Sequence, residues 1–250
     1  MLRFVDCNMA VGVPGIVRGW RNYFPSEIQR AAERVGIVHG FAYHNGVLEI
    51  HPIEGNQAMD MVAAEYPFFS SVWAVLPNHT GEFYDADVLE NMLEQNHVEM
   101  VRMFPRYEFH GFSMADWSMG EVLTMLERRG TIVLLDQEQI SANILHRLCC
   151  NHPKLKVIIT NMNFRNSRDM MALMRHHDHL YIESSGMKMF GLLQTFCEQV
   201  GADRIVFGSN LGTFSVGSAV CLVTYALISA KEKEQIAHAS LEAILERQVV

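Results

Sequence analysis

Several polar residues end or follow short apolar runs of the chain, where their side chains could do chemistry. Two are carboxylates, Asp136 after the run TIVLL and Glu183 within LYIE. A carboxyl group whose pKa is raised by burial can exchange a proton near neutral pH, so we predict these two as catalytic residues. Two arginines, Arg102 and Arg106, belong to the segment VRMFPR. A guanidinium binds a carboxylate through paired hydrogen bonds, so we predict both as substrate-binding residues.

The elements that must position these side chains alternate between β-rich runs and helical patterns along all 250 residues. Continuous apolar runs such as TIVLL and VIIT are typical of parallel strands buried on both faces. Strands are predicted at 2–6, 36–41, 69–76, 98–104, 131–135, 155–160, 180–184 and 204–208. Helices are predicted at 25–35, 85–95, 117–129, 137–150, 167–176, 188–200, 219–229 and 231–248, with a long irregular connection at 42–55. Eight such units predict an α/β fold, a single (β/α)8 TIM barrel over residues 1–250.

A doubly wound open sheet is the structural alternative to the barrel. The sequence after the first strand has no glycine-rich phosphate loop, which weakens the nucleotide-binding form of that alternative.

Composition and charge exclude several classes of partner. The net charge of −8 argues against nucleic acid, because phosphate binding needs clustered Lys and Arg. No apolar run is long enough to span a membrane, and the opening MLRFVD lacks the pattern of a signal peptide. Five cysteines without metal-type spacing indicate reduced thiols. We therefore expect a cytoplasmic protein with a small-molecule ligand, and a homo-oligomer is compatible with the sequence.

Six segments, taken in order, resemble the amidohydrolase-related (amidohydrolase 2) family. They are FVDCNMAVG, VRMFPRYEFHGFSMAD, HPKLKVIITNMN, HLYIESSG, RIVFGSNLG and the closing EKEQIAHASLEAIL. The resemblance implies a (β/α)8 barrel with its site at the C-terminal ends of the strands. It also implies a hydrolase in which a divalent metal activates water.

This chain departs from the family at the metal-ligand positions. The two strand 1 histidines of the family fall on Asn8 and Ala10, the strand 5 histidine on Asp136 and the strand 6 histidine on Asn161. The strand 8 aspartate, which also serves as the family's general base, falls on Asn210. Amide oxygens are poor zinc ligands, so we expect no metal there.

Without a metal, the asparagines at these positions take another role. We predict Asn8, Asn161 and Asn210 as substrate-binding residues at the barrel mouth. The alternative is a polar layer of mutually bonded side chains and water without chemistry.

The histidines offer a second route to a metal site. Four lie on predicted loops at the catalytic face, namely His44, His51, His79 and His110. A relocated zinc site on these loops is a further alternative. His176, His177 and His179 precede strand 7 and so lie at the opposite face, where we expect a solvated or helix-capping role.

Three functions follow from these observations. The first is a divergent enzyme, a lactonase-like or amidohydrolase-like hydrolase that acts on a small carboxylated molecule without a metal. The second is a catalytically inactive binding or regulatory protein. The third is a metal-dependent hydrolase that uses the loop histidines. A barrel fold alone does not choose among them.

Overall fold

The computed structural model describes residues 2–15 and 23–246. Eight parallel strands pair in sequence order in one sheet. They are β1 Phe4–Val11, β2 Ile37–His44, β3 Phe69–Ala74, β4 Met100–Met103, β5 Ile132–Asp136, β6 Val157–Thr160, β7 Leu180–Glu183 and β8 Ile205–Val206. Backbone hydrogen bonds from Cys7 N to Phe207 O (3.0 Å) and from Ala10 N to Leu211 O (3.0 Å) join the two ends of the sheet. The predicted (β/α)8 barrel is confirmed.

α-Helices follow the strands along the chain. They are α1 Pro25–Glu33, α2 Gly46–Glu49, α3 Pro52–Glu65, α4 Ala86–Gln95, α5 Asp116–Arg129, α6 Ala142–Asn151, α7 Ser167–His176, α8 Leu192–Val200, α9 Val216–Thr224, α10 Ala230–Glu234 and α11 Ser240–Glu246. A π-helical segment, Gln235–Ala239, joins the last two. Within the described ranges, no helix has both the length and the apolar composition needed to cross a bilayer.

The prediction of an irregular connection at 42–55 was wrong. This stretch holds the end of β2, all of α2 and the start of α3. Helix α3 begins there because Pro52 fits the first helical position and the His51 side chain accepts a hydrogen bond from Ile53 N (3.3 Å). The helix predicted at 188–200 begins only at Leu192, after Gly191 adopts a φ of 75°. The predicted end of the last helix, at 248, lies outside the described residues.

Apolar side chains fill the barrel from the end where its strands begin. The interior cluster consists of Val5, Cys7, Phe41, Val72, Met100, Ile132, Leu134, Ile158, Tyr181, Val206, Leu241 and Ile244. The last two belong to α11, which therefore plugs this end of the barrel. The buried Lys156 holds it there by donating to Ile244 O (2.9 Å). The candidate site residues of the barrel interior are expected at the opposite end, where the strands finish.

Candidate functional site

A buried arginine lies at the centre of a polar layer above the apolar filling. The guanidinium of Arg102 on β4 donates to Asn8 Oδ1 (2.7 Å), Asp136 Oδ1 (2.5 Å) and Thr160 Oγ1 (3.3 Å). Arg102 is 2% exposed, and its guanidinium carbon lies 4.9 Å from the centroid of the Tyr43 ring. The arginine therefore joins residues of three other strands and is itself shielded from solvent.

Glu183, at the end of β7, is the second centre of this layer and is completely buried. Its Oε2 accepts hydrogen bonds from Asn8 Nδ2 (3.2 Å), Asn161 N (3.1 Å) and Ser185 Oγ (2.9 Å). Burial raises the pKa of Glu183, although these bonds oppose the shift. A Cβ at Gly208 would lie 2.4 Å from Glu183 Cγ, so this position has no room for a side chain.

Asp6 is a second completely buried acid, which sequence reasoning did not select. Its Oδ1 accepts from Asn8 N (2.9 Å) and Ser209 N (3.0 Å), while Oδ2 has no hydrogen-bond partner. Burial raises the pKa of Asp6 to about 7. The signal that could have found it is an acidic residue inside the apolar run of the first strand.

An irregularity in β1 accounts for the position of Asn8. Side chains of a regular strand alternate between its two faces, so Cys7 and Asn8 would point in opposite directions. Cys7 belongs to the interior cluster, yet Asn8 also reaches Arg102 inside the barrel. The pairing of β1 with β2 shifts register between Asp6 and Met9, and such a bulge re-aims a side chain.

Two asparagines reach the site from strained turns after β6 and β8. Asn161 and Asn210 have φ values of 54° and 51°, in the left-handed region that few residues with a side chain adopt. Asn210 Nδ2 donates to Asn161 Oδ1 (2.5 Å), and Asn161 Nδ2 donates to Asp136 Oδ1 (2.7 Å). The two amides thus form a chain of hydrogen bonds that ends at the Asp136 carboxylate. Backbone strain of this kind is common at functional sites.

A cleft of about 440 Å³ opens above the polar layer. Four of the predicted site residues line it, namely Arg106, Asp136, Asn161 and Asn210. The other three, Asn8, Arg102 and Glu183, are buried and do not line it, although each bonds to a residue that does. The cleft also has three aromatic residues, Phe109, Phe164 and Phe214, together with Ser185 and Lys188. Neither Ser185 nor Lys188 was predicted, although both follow the seventh strand at the catalytic face.

The two cations of the cleft differ in how they are engaged. Arg106 forms a paired contact with Glu108 through Nη2 (2.8 Å) and Nε (3.1 Å). Lys188 lies over the ring of Phe214, with Nζ 3.9 Å from the centroid. Among the residues that the structure describes, no carboxylate forms a salt bridge with Lys188. Of the two cations, Lys188 is thus the one without a carboxylate partner among the described residues.

The donors at the family's metal positions fit a divalent metal poorly. Ala10 offers no donor atom. Asn8 Oδ1 and Asp136 Oδ1 both accept from the Arg102 guanidinium, and Asn161 Oδ1 accepts from a neighbouring amide. A dication bound here would lie beside a buried positive charge, which is strongly unfavourable away from water.

The four loop histidines do not form a joint site. His44 and His51 accept hydrogen bonds from backbone N–H groups two residues ahead, and His79 and His110 contact backbone carbonyl oxygens. Within residues 2–15 and 23–246, a single group of His, Cys, Asp or Glu side chains is close enough to hold an ion, and it contains none of the four.

Comparison with known proteins identifies the family. The sequence profile of the Amidohydrolase family matches residues 25–242. No curated protein matches the sequence. Solved structures with a similar fold include an uncharacterised TIM-barrel protein from Bordetella bronchiseptica, with a TM-score of 0.78, 16% identity and 99% of both chains covered.

Two further solved structures are decarboxylases. 2,6-Dihydroxybenzoate decarboxylase from Rhizobium has a TM-score of 0.75 and 15% identity, with 99% of both chains covered. 5-Carboxyvanillate decarboxylase from Sphingomonas paucimobilis has a TM-score of 0.68 and 14% identity, with 98% of this chain and 99% of that chain covered. At these identities the likeness concerns the fold. Because the family profile spans most of the chain, this protein belongs to the Amidohydrolase family.

Proposed function

We propose that the cleft binds a small aromatic carboxylate and that the protein acts on it without a bound metal. The observation that carries the proposal is one cleft that combines the cations Arg106 and Lys188 with three phenylalanine rings over an amide floor. A cation pairs with a carboxylate, and phenyl faces and edges pack against an aromatic ring. Two proteins of similar fold are named as decarboxylases of dihydroxybenzoate and carboxyvanillate, which are aromatic acids.

The cations and amides of the site take different roles in this proposal. Lys188, with Arg106 as a second cation, meets the ligand carboxylate at the cleft wall. Arg102 is buried and holds Asn8 and Asp136 in place, so we assign it a positioning role. Asn161 and Asn210 offer amide groups to the polar substituents of the ligand.

Proton exchange is needed by both reactions that the superfamily suggests. Hydrolysis needs a base for water, and decarboxylation needs a proton for the ring carbon. Ser185 lines the cleft and donates to the buried Glu183, whose raised pKa brings proton exchange closer to neutral pH. We propose Glu183, acting through the Ser185 hydroxyl, as the proton-exchanging group, and Asp136 on the cleft wall as the second candidate.

Binding of a carboxylate should depend on Lys188. We expect 2,6-dihydroxybenzoate and benzoate to bind, and uncharged benzamide to bind more weakly. Lys188→Gln should weaken benzoate binding about tenfold, since a lost charge-assisted contact costs about 1.4 kcal/mol. Isothermal titration calorimetry measures this, with Lys231→Gln on α10 as the matched control. Equal affinity of Lys188→Gln and the unaltered protein, or no binding of any carboxylate, would contradict the proposal.

Ligand affinity should not depend on a metal. The Arg102 guanidinium supports this expectation, because it already supplies positive charge to Asn8 and Asp136. We expect the benzoate affinity to be the same in a chelator and with added Mn²⁺ or Zn²⁺. An affinity that rises with Mn²⁺ and is lost in the chelator would show that the metal-free part of the proposal is wrong.

Binding without turnover is the second candidate function. It is favoured by the burial of Glu183, which has no direct access to the cleft. Incubation with aromatic acids, esters and lactones, followed by proton NMR, separates the candidates. Loss of carbon dioxide indicates a decarboxylase, ring or ester opening a hydrolase, and binding without any product a regulatory protein.

The cysteines bear on where this function takes place. All five are free thiols, and two of them, Cys150 and Cys221, are exposed. Unpaired thiols fit a reducing compartment, so a cytoplasmic location is part of the proposal.

A further inference from the structure

Three side chains with metal-binding chemistry meet at the end of the barrel opposite the cleft. His146 and Cys150 lie four residues apart on α6, which places them on one face of the helix. His177 follows the last residue of α7. His146 Nδ1 lies 2.9 Å from His177 Nε2, and Cys150 Sγ lies 3.9 Å from the same His146 nitrogen. One donor atom from each of the three lies within 4.8 Å of the others.

These separations are close to those of a bound ion. A tetrahedral zinc ion with bonds of about 2.0–2.3 Å to nitrogen and sulfur holds its ligand atoms roughly 3.3–3.6 Å apart. His146 and Cys150 are exposed, so their side chains have space to rotate towards that geometry. A thiolate with two imidazoles favours zinc over the hard cations calcium and magnesium.

The surroundings also favour a cation. Helices α6 and α7 both end here, and the C-terminal end of a helix carries a partial negative charge. A shallow cavity of about 220 Å³ adjoins the cluster and is lined by His176, His177 and Asp178, among others. It leaves room for a water molecule as a further ligand.

We propose that His146, Cys150 and His177 bind one Zn²⁺ ion, with water in the fourth position. The ion would join α6 to α7 on the outside of the barrel. This site uses none of the residues of the cleft, so it stands or falls independently of the proposed function.

Cobalt is the probe of choice, because thiolate-bound Co²⁺ has a charge-transfer band and tetrahedral Co²⁺ has intense visible bands. We expect the metal-free full-length protein to bind one Co²⁺ with both features, and Zn²⁺ to displace it. Cys150→Ser should abolish the charge-transfer band, and His177→Ala should weaken Co²⁺ binding at least tenfold, by about 1.4 kcal/mol. Cys221→Ser, which removes the other exposed thiol, is the matched control and should bind as the unaltered protein does.

Thermal unfolding supplies a second readout. Zn²⁺ should raise the melting temperature of the unaltered protein, because an ion that binds the folded state stabilises it, and it should have no such effect on Cys150→Ser. Metal-free Cys150→Ser should melt like the metal-free parent, since Cys150 lies at the surface. A spectrum without thiolate bonding, or one that survives Cys150→Ser, overturns the proposal.

Discussion

Replacing Arg102 by methionine should lower the free energy of unfolding by about 3–5 kcal/mol, the usual cost of removing one partner of a buried ion pair. The guanidinium bonds to Asn8, Asp136 and Thr160 at once. Methionine fills much of the same space but offers no donor, so three acceptors lose their partner in a shielded layer. Lysine should not restore the parent stability, because a single ammonium cannot reproduce the planar fork of hydrogen bonds.

Urea unfolding of matched variants separates the ion pair from general damage. Arg102→Met with Asp136→Asn should recover part of the loss, since the carboxylate without its cation is then gone. Arg106→Ala is the control; its salt bridge to Glu108 is exposed, so its removal should cost well under 1 kcal/mol. A loss below about 1 kcal/mol for Arg102→Met would mean that the pair contributes little and that Arg102 does not organise the layer.

The protein should become less stable as the pH rises from 5 to 8. The pKa of Asp6 is about 7 in the folded protein, against an ordinary value of 3.8. The folded state therefore keeps a proton that the unfolded chain has already released. The stabilisation by this proton is complete below the ordinary pKa of 3.8. It is lost as the pH rises through the pKa of about 7 in the folded protein. Asp6 alone should account for about 3 kcal/mol between pH 5 and pH 8. Glu183, whose pKa is also raised, adds in the same direction.

Asp6→Asn tests this assignment because an amide mimics the protonated acid. Its unfolding free energy from urea titrations should change less between pH 5 and pH 8 than that of the parent. Glu121→Gln, at an exposed position on α5, should keep the parent slope. If Asp6→Asn also keeps that slope, the pH dependence arises elsewhere.

The barrel was predictable because parallel strands that are buried on both faces appear in the sequence as continuous apolar runs. Residues 132–135 and 157–160 are examples, since both faces of each strand pack against apolar side chains. The first strand was predicted too short, at 2–6, because Asn8 interrupts its apolar pattern. The structure extends β1 to Val11 and buries its whole length. A polar residue inside a buried strand is visible in sequence, but its bonding partners are not.

The candidate residues of the site could be predicted from the sequence, but the hydrogen bonds among them could not. The ends of parallel strands meet at one face, so the proximity of Asn8, Asp136 and Asn161 was predictable, while their catalytic and binding roles stay predictions. The sequence could not show that Arg102 turns inward to Asp136 while Arg106 faces the cleft, because the two lie only four residues apart, on β4 and just after it. It could not bring His146 to His177 either, since that contact depends on how two helices pack.

Helix α11 makes the order of synthesis matter for this fold. Leu241 and Ile244 pack in the same interior cluster as Val5, so the plug and the first strand lie far apart in the sequence. A nascent chain therefore presents an unsealed apolar lumen until α11 has left the ribosome, and such surface invites aggregation. A protein fused after α11 would therefore affect when the barrel interior is sealed during synthesis. Insertions in the loops around the cleft would not.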